Sequence, residues 1–355
     1  MTGIRVAVVG TGDWWGRQHA IAFSTRDDAV LCAVVGRTTE RTRQRAQEFG
    51  VAAYTDLDEM LERERPDLVS VCLPNEGHFE PTLQIIRAGF PLLVEKPLVF
   101  DLAQADVLLT EAADRELFFA INFNHRYARP LCLAAEAVRS GRLGQQTFAS
   151  WRFGGEPGTS SDPHANLIET QCHGLDQLEH LCGPIASVMA QMSDATGRGY
   201  STLAVALQFA SGAVGSLLGS YDSSYAYPGT HQLEINGLDG RILVEDTVRR
   251  FTFTPARTEI SEVWQAGYFN DRDRGFHATF DRHLDELVPA FAAGAPPPVH
   301  AAAGRRALQL AHAIIASYGT GTRVATPPSG DGAEPPALGS TATEHRVLED
   351  SGPPS

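Results

Sequence analysis

Short apolar, β-rich runs recur along the first third of the chain, near 4–9, 30–35, 68–73, 91–94 and 117–123, and the stretches between them carry apolar residues at helical spacing. Alternation of this kind predicts the strands and crossover helices of a doubly wound parallel sheet. After about Gly144 the period changes. Gln146 to Phe153, Leu203 to Phe209 and Arg241 to Glu245 alternate large apolar residues with small or polar ones, as strands with one buried face do, and helices are expected around 168–182 and 277–292. The fold class expected is α/β, with a first domain over 1–124 and a second, α+β domain over 125–325. The stretch Thr202 to Gly219 is apolar, but Gln208, Ser211 and Gly212 interrupt it, so it reads as two strands around a turn and not as a membrane span. Residues 326–355 are rich in Pro, Gly and Ser, with little to bury, and read as a disordered tail.

Composition narrows the partners. At 355 residues and 43% hydrophobic content the chain can build a sizeable core in each of two domains. The formal net charge of −14 repels nucleic acid and anionic membrane surfaces, so neither is expected as a partner. The five cysteines have no C-x-x-C spacing, which suggests neither a disulfide framework nor a zinc knuckle; no metal is expected. A strand pattern begins at Ile4 with no basic, apolar and cleavable leader before it, and a reducing cytoplasm is the expected location.

Candidate chemistry starts where the first strand ends, in G-T-G-D-W-W-G-R-Q-H from Gly10 to His19. Gly10, Gly12 and Gly16 allow a tight turn and close backbone approach, placing a pyrophosphate at a helix N-terminus where free N–H groups and the dipole favour anions. Asp13, Trp14 and Trp15 lie within that turn, the two tryptophans as packing residues or as cofactor contacts. The spacing is one residue longer than the usual dinucleotide fingerprint, and the strand–turn–helix context is what raises it. An NAD site usually carries an acidic residue at the end of the second strand. Here Gly36-Arg37-Thr38 occupies that place, a combination suited to a 2′-phosphate, so NADP is the preferred cofactor and NAD the second choice.

Lys96 is the single lysine of the chain, 28 of the 29 Lys+Arg residues being arginine, and it sits in V-E-K-P. A lysine ammonium shifts its pKa readily when partly buried, whereas a guanidinium does not deprotonate in proteins. With the glycine loop ending in histidine, L-P-N-E-G-H from Leu73 to His78, E-K-P from Glu95 to Pro97, and H-x-x-D followed by glycine at His173, Asp176 and Gly183, the chain resembles the Gfo/Idh/MocA family, named for glucose–fructose oxidoreductase, inositol dehydrogenase and rhizopine catabolism. The resemblance covers about residues 3–325. It implies an N-terminal Rossmann domain and a C-terminal domain built on an open, largely antiparallel sheet.

It also implies roles for residues. Lys96, Glu169 and His173 correspond to the groups that flank the nicotinamide and the reacting carbon; Glu169 stands where Asp is commoner, which moves the carboxylate by one methylene. Leu73, Asn75, His78, Glu95 and Lys96 match the nicotinamide-side loops. Arg126 and Tyr127 of N-F-N-H-R-Y match a basic–aromatic pair at the domain junction, either structural or substrate-facing. Where many members carry a glycine run, this chain has P-H-A-N-L, so His164 or Asn166 is a candidate ligand contact, with Asp176 beside them. On a regular helix Glu169, His173 and Asp176 would share an arc of about 60°.

The function implied is NAD(P)-dependent interconversion of a secondary alcohol and a ketone on a sugar, sugar derivative or cyclitol, the hydride being carried by the cofactor and the proton by Lys96 and His173. Two alternatives stand beside it: an NAD-dependent redox glycosidase, and a non-catalytic regulator that senses the dinucleotide. A pure sensor has no need of a proton relay, which weighs against the last. A homo-oligomer, dimer or tetramer, is expected by analogy.

Overall fold

The computed structural model describes residues 3–158 and 160–327. The 326–355 tail therefore lies almost entirely outside the described residues. Strands β1 (Ile4–Val9), β2 (Ala29–Val35), β3 (Ala52–Tyr54), β4 (Leu68–Val71), β5 (Leu92–Val94) and β6 (Phe119–Ile121) form a six-stranded parallel sheet in the order β3-β2-β1-β4-β5-β6. Helices α1 (Trp15–Ser24), α2 (Thr39–Phe49), α3 (Leu57–Glu64), α4 (Phe79–Arg87) and α5 (Leu102–Ala113) are the crossovers. The central strands are covered on both faces and therefore read as largely apolar runs: β4 and β5 are buried along their whole length, with Ser70 the one polar residue in them. The order reverses between β1 and β4, which puts the ligand crevice at the carboxyl ends of those two strands.

Helix α6 (Arg129–Arg139) leads into the second sheet. Its strands are β7 (Gln146–Gly154), β8 (Ile185–Ser193), β9 (Thr202–Phe209), β10 (Val214–Ser220), β11 (His231–Gly237), β12 (Gly240–Glu245), β13 (Arg250–Pro255), β14 (Glu262–Gln265) and β15 (Val324–Ala325), in the order β14-β13-β12-β11-β7-β10-β9-β8-β15. Strands β7 and β10 run parallel and the other neighbours antiparallel, so the sheet is mixed and mostly antiparallel. The expected pair of strands across Thr202 to Gly219 is β9 and β10. Helices α7 (Cys172–Cys182) and α10 (Ala302–Thr320) cover one face of the sheet. On the other face Phe148, Met189, Val214 and Leu218 are 42%, 47%, 55% and 44% exposed. Gly174 of α7 is needed for that packing, since a Cβ there would lie 2.4 Å from Nε1 of the buried Trp151.

Two short pieces of the C-terminal part return to the first sheet. After the single turn α8 (Asp271–Arg274), helix α9 (Ala278–Ala292) buries Phe280, Leu284, Leu287 and Val288 in one cluster with Val6, Val8, Phe23 and Leu93. Each such side chain contributes about 1.5–3 kcal/mol. Residues 299–301 then extend the sheet beside β6, with Ile121 N donating to Val299 O and Ala301 N to Phe119 O. A buried polar chain crosses the same junction. His19 stacks on Phe280 with ring centres 4.1 Å apart, lies 2.7 Å from Ser70 Oγ, and donates to Glu95 Oε1 at 2.9 Å. Asn122 donates to that same oxygen at 2.5 Å and accepts from His283 of α9 at 2.9 Å.

Candidate active site

The glycine loop has the geometry its spacing suggested. Gly10 adopts φ +132°, and a Cβ there would sit 2.2 Å from Cys72 O. A Cβ on Gly16 would sit 2.6 Å from Gly10 O, whereas one on Gly12 would meet nothing within 4 Å. Only the first and last glycines are thus required by packing; Gly12 leaves the crevice open for a ligand backbone. Helix α1 begins at Trp15 with no side chain capping it; Arg17 N donates to Gly12 O at 2.9 Å, and the N–H groups ahead of it are left for an anion. Trp15 packs edge-on to His277 and Phe280 and at a tilt to Phe276, while Trp14 is 63% exposed and touches His277. Asp13 accepts from Arg45 at 2.8 Å, an ion pair that braces the loop from α2. At the end of β2, Arg37 and Thr38 are both exposed, and the Thr38 hydroxyl does not cap α2. These residues fit a bound dinucleotide.

The E-K-P turn follows β5. Lys96 is half-buried, and its Nζ donates to the main-chain carbonyl of Glu169 at 3.1 Å. The carboxylate of Glu169 is buried elsewhere in the site, with Oε1 lacking a protein partner. Burial raises that carboxyl above its ordinary value, against the pull of Asn75 and Lys96. The helix expected over 168–182 is not continuous. Asn166–Thr170 form a π-helical turn in which Gln171 N donates to Asn166 O at 3.0 Å, and α7 starts at Cys172. One extra residue enters the turn, so Glu169 leaves the regular arc that would have carried it with His173 and Asp176. Gln171 locks the turn by accepting from Trp151 Nε1 at 3.1 Å and donating to Asn166 Oδ1 at 3.1 Å.

His173 is 5% exposed and stacks face to face on His125, with ring centres 3.8 Å apart and planes 5° from parallel. Phe123 meets its ring edge-on at 5.9 Å. Burial first, then the neighbouring charges of His125 and Lys96, hold its pKa well below the ordinary histidine range, and His125 behaves likewise through burial, His231 and Lys96. Both rings are therefore neutral at neutral pH, and neither Nδ1 has a protein partner. A neutral imidazole of this kind can accept a proton from a hydroxyl.

Several residues expected to touch a ligand stand behind the site instead. Glu95 is 3% exposed: burial pushes its carboxyl up, but the hydrogen bond and charge of His19, with Lys96 and Asn122, outweigh it and hold it below its ordinary value. It supports the base of Lys96 rather than facing the cofactor. His78 is 1% exposed, with ring nitrogens 2.8 Å from Pro97 O and 2.9 Å from Leu73 O, and so braces the L-P-N-E-G-H turn against E-K-P. Arg126 and Asp176 face each other in a two-point ion pair at 2.9 and 2.5 Å, leaving neither Asp176 oxygen free for substrate. Tyr127 is buried and stacks on His283 at 4.6 Å. Asn166 uses its amide on Ser201 O, at 2.7 Å, and on Gln171. His164 stacks on Tyr200 at 4.8 Å, on the rim beyond the π turn. Asn75 lines a cavity of about 230 Å³ together with Glu76, His78, Phe79, Phe100 and Ser161.

Residues 4–123 match the NAD-binding Rossmann domain of this oxidoreductase family, and residues 132–326 match its C-terminal α/β domain. The chain belongs to the Gfo/Idh/MocA oxidoreductase family. The chain is similar to myo-inositol 2-dehydrogenase of Thermotoga maritima, with 27% identity over 87% of this chain and 95% of that protein. D-glucoside 3-dehydrogenase of Escherichia coli K12 is 32% identical over 51% of this chain and 54% of its own. A solved levoglucosan dehydrogenase, in complex with NADH and levoglucosan, superposes with a TM-score of 0.82 at 18% identity, covering 92% of this chain and 100% of that one, a likeness of fold. The match to the Gfo/Idh/MocA C-terminal domain spans the π turn, α7 and the nine-stranded sheet, so the elements that carry Glu169 and His173 belong to the family fold.

Four residues at the site escaped the reading of the sequence. His125 lies in N-F-N-H-R-Y beside the two residues singled out there. His231 stands edge-on to Trp151 at 4.3 Å, and its Nδ1 accepts from Thr247 N at 2.8 Å. Phe276 meets His125 edge-on at 5.5 Å, and Tyr221 bonds the Thr170 hydroxyl at 2.6 Å. Among the described residues no three His, Cys, Asp or Glu side chains converge as ligands for a metal ion, the histidine cluster included.

Proposed function

We propose that this oxidoreductase interconverts a secondary alcohol and a ketone on a sugar or cyclitol, with His173 moving the hydroxyl proton and Lys96 hydrogen-bonding the same oxygen. The carrying observation is the pairing of the single lysine, half-buried and held by the Glu169 carbonyl, with a buried imidazole kept neutral by its surroundings. The bound nicotinamide supplies or accepts the hydride. His173 takes the proton as a base in the oxidation direction and returns it as an acid in reduction. Lys96 stabilises the negative charge that grows on the oxygen, and Glu169 sets the local field from its buried position. The relatives whose names specify a myo-inositol and a D-glucoside support a polyhydroxylated substrate.

NADP is the preferred cofactor on this reading. The end of β2 carries exposed Arg37 and Thr38 and no carboxylate in the Gly36–Thr38 turn, which suits a 2′-phosphate. Assembly into a dimer or tetramer through the open sheet face is supported by the exposed Phe148, Met189, Val214 and Leu218. The deciding experiment is a titration with NADPH and NADH separately, followed by tryptophan emission near Trp14 and Trp15, then turnover of a panel of sugars and cyclitols by wild type and Lys96→Ala. Lys96→Ala is expected to lose about 10²–10⁴ in kcat with cofactor affinity retained. Unchanged turnover in that variant refutes the assignment.

A further inference from the structure

A line of aromatic rings runs outward from the candidate catalytic imidazole. His173 stacks on His125; His125 meets Phe153 edge-on at 6.2 Å; Phe153 meets Tyr225 at 6.4 Å. Tyr225 ends the line and is 55% exposed. Its ring lies flat against the backbone of Gly155, where a Cβ would come within 2.7 Å of the phenol Cζ and oxygen, so glycine at that position is what lets the ring lie down. Four residues earlier Tyr221 bonds the hydroxyl of Thr170, the neighbour of Glu169, at 2.6 Å. Tyr225 thus stands at the exposed end of a line of rings whose buried end is His173, on the segment whose Tyr221 holds Thr170. The chemistry of the reaction does not use it, and exposed phenol rings outside a polar site are stacking surfaces for flat, weakly polar groups.

We propose that Tyr225 forms a subsite for the part of the substrate that lies beyond the reacting ring, taking a flat apolar face there: the C–H face of a second sugar residue or an aromatic aglycone. On this reading the substrate class is a glycoside, not a free monosaccharide or cyclitol. The proposal rests on the placement of the reacting carbon at Lys96 and His173. Phe153 supports the Tyr225 ring from behind, and the phenol presents its face to the ligand.

The test is calorimetric binding to the enzyme saturated with reduced cofactor, using methyl glucoside, phenyl glucoside and a glucosyl-glucose disaccharide, each as both anomers. Phenyl glucoside or the disaccharide is expected to bind roughly 3- to 10-fold more tightly than methyl glucoside. Gain with the phenyl compound alone identifies an aglycone subsite, and gain with the disaccharide alone a second sugar subsite. Tyr225→Ala should erase the gain and Tyr225→Phe keep it, with cofactor affinity unchanged in both; Tyr225→Leu serves where the alanine variant does not fold. Equal affinities in wild type, a gain that survives in Tyr225→Ala, or no binding by any of the three overturns the subsite. Cofactor reduction is read separately. A Tyr225-dependent gain without any turnover sinks the dehydrogenase reading and leaves the subsite standing.

Discussion

Acid should unfold this protein early, and the cause lies in the imidazoles that line the junction between its sheets. His283 is fully buried and His231 is 2% exposed. Burial, the largest influence on both, pushes each pKa down to about 3, against the opposing charges of Glu95 on His283 and Asp246 on His231; Arg126 and His19 push His283 further down. In the unfolded chain each titrates near the ordinary histidine value of about 6.5. Below that value the unfolded state binds a proton that the folded state refuses, so stability falls as pH falls and does not depend on these groups above it. The slope is about 1.4 kcal/mol per pH unit for each histidine, which amounts to about 2 kcal/mol each at pH 5. His125 and His173 are pushed in the same direction and add to the loss. Against a total stability of about 5–15 kcal/mol these are large increments. Raised carboxyls such as Glu169 and Asp176 act with the opposite sign, so the comparison must be between variants. Urea unfolding at pH 7, 6 and 5 should show a loss of stability between pH 7 and pH 5 smaller by about 2 kcal/mol in His283→Gln than in wild type, and likewise in His231→Gln, most of it below pH 6. Glutamine retains a donor toward Asn122 or an acceptor toward Thr247, so the change in slope is the diagnostic quantity. Parallel curves for wild type and both variants would refute the reasoning.

The remaining predictions concern single contacts. Gly10→Ala forces a Cβ to within 2.2 Å of Cys72 O at φ +132°, and should lower stability by at least about 2 kcal/mol and abolish the tryptophan signal on cofactor addition; a wild-type titration would show that the loop tolerates the strain. Arg37→Ala should weaken NADPH binding by about 10- to 100-fold and leave NADH within about twofold, as the loss of one charge-assisted contact to a phosphate requires. Equal effects on the two cofactors would remove the 2′-phosphate contact. Asp176→Asn leaves the Arg126 guanidinium without its partner in a buried place and should cost about 3 kcal/mol in urea unfolding, with substrate KM little changed. A raised KM at unchanged stability would return Asp176 to the substrate.

What could be read from the sequence follows the range of the interactions concerned. The parallel sheet was legible because β4, β5 and the last four residues of β1 are buried on both faces and are apolar but for Ser70; β9 was legible because one face is buried and the period is two. Strand β3, three residues at the sheet edge, is too short to carry a period. The π turn at Asn166–Thr170 left no mark either, since it is held by Gln171 reaching across to Trp151, twenty residues away in sequence. The same limit governs the site. Motif residues marked where the chain turns toward the crevice, but whether a side chain faces the ligand or the protein is decided by partners far along the chain: Asp176 by Arg126 at a separation of 50, Glu95 by His19 at 76. His125 shows the converse. Nothing in N-F-N-H-R-Y distinguishes its histidine from the arginine and tyrosine after it, yet the stack on His173 makes it the residue of the three that borders the candidate base. Arg126 and Tyr127 are turned to Asp176 and His283, so that one short segment clamps the second domain with two side chains while the third walls the site. The segment's density of chemistry-bearing residues reflects a junction and a site built on the same turn, and each residue's part follows from the direction its side chain takes out of the short Asn124–Tyr127 helix.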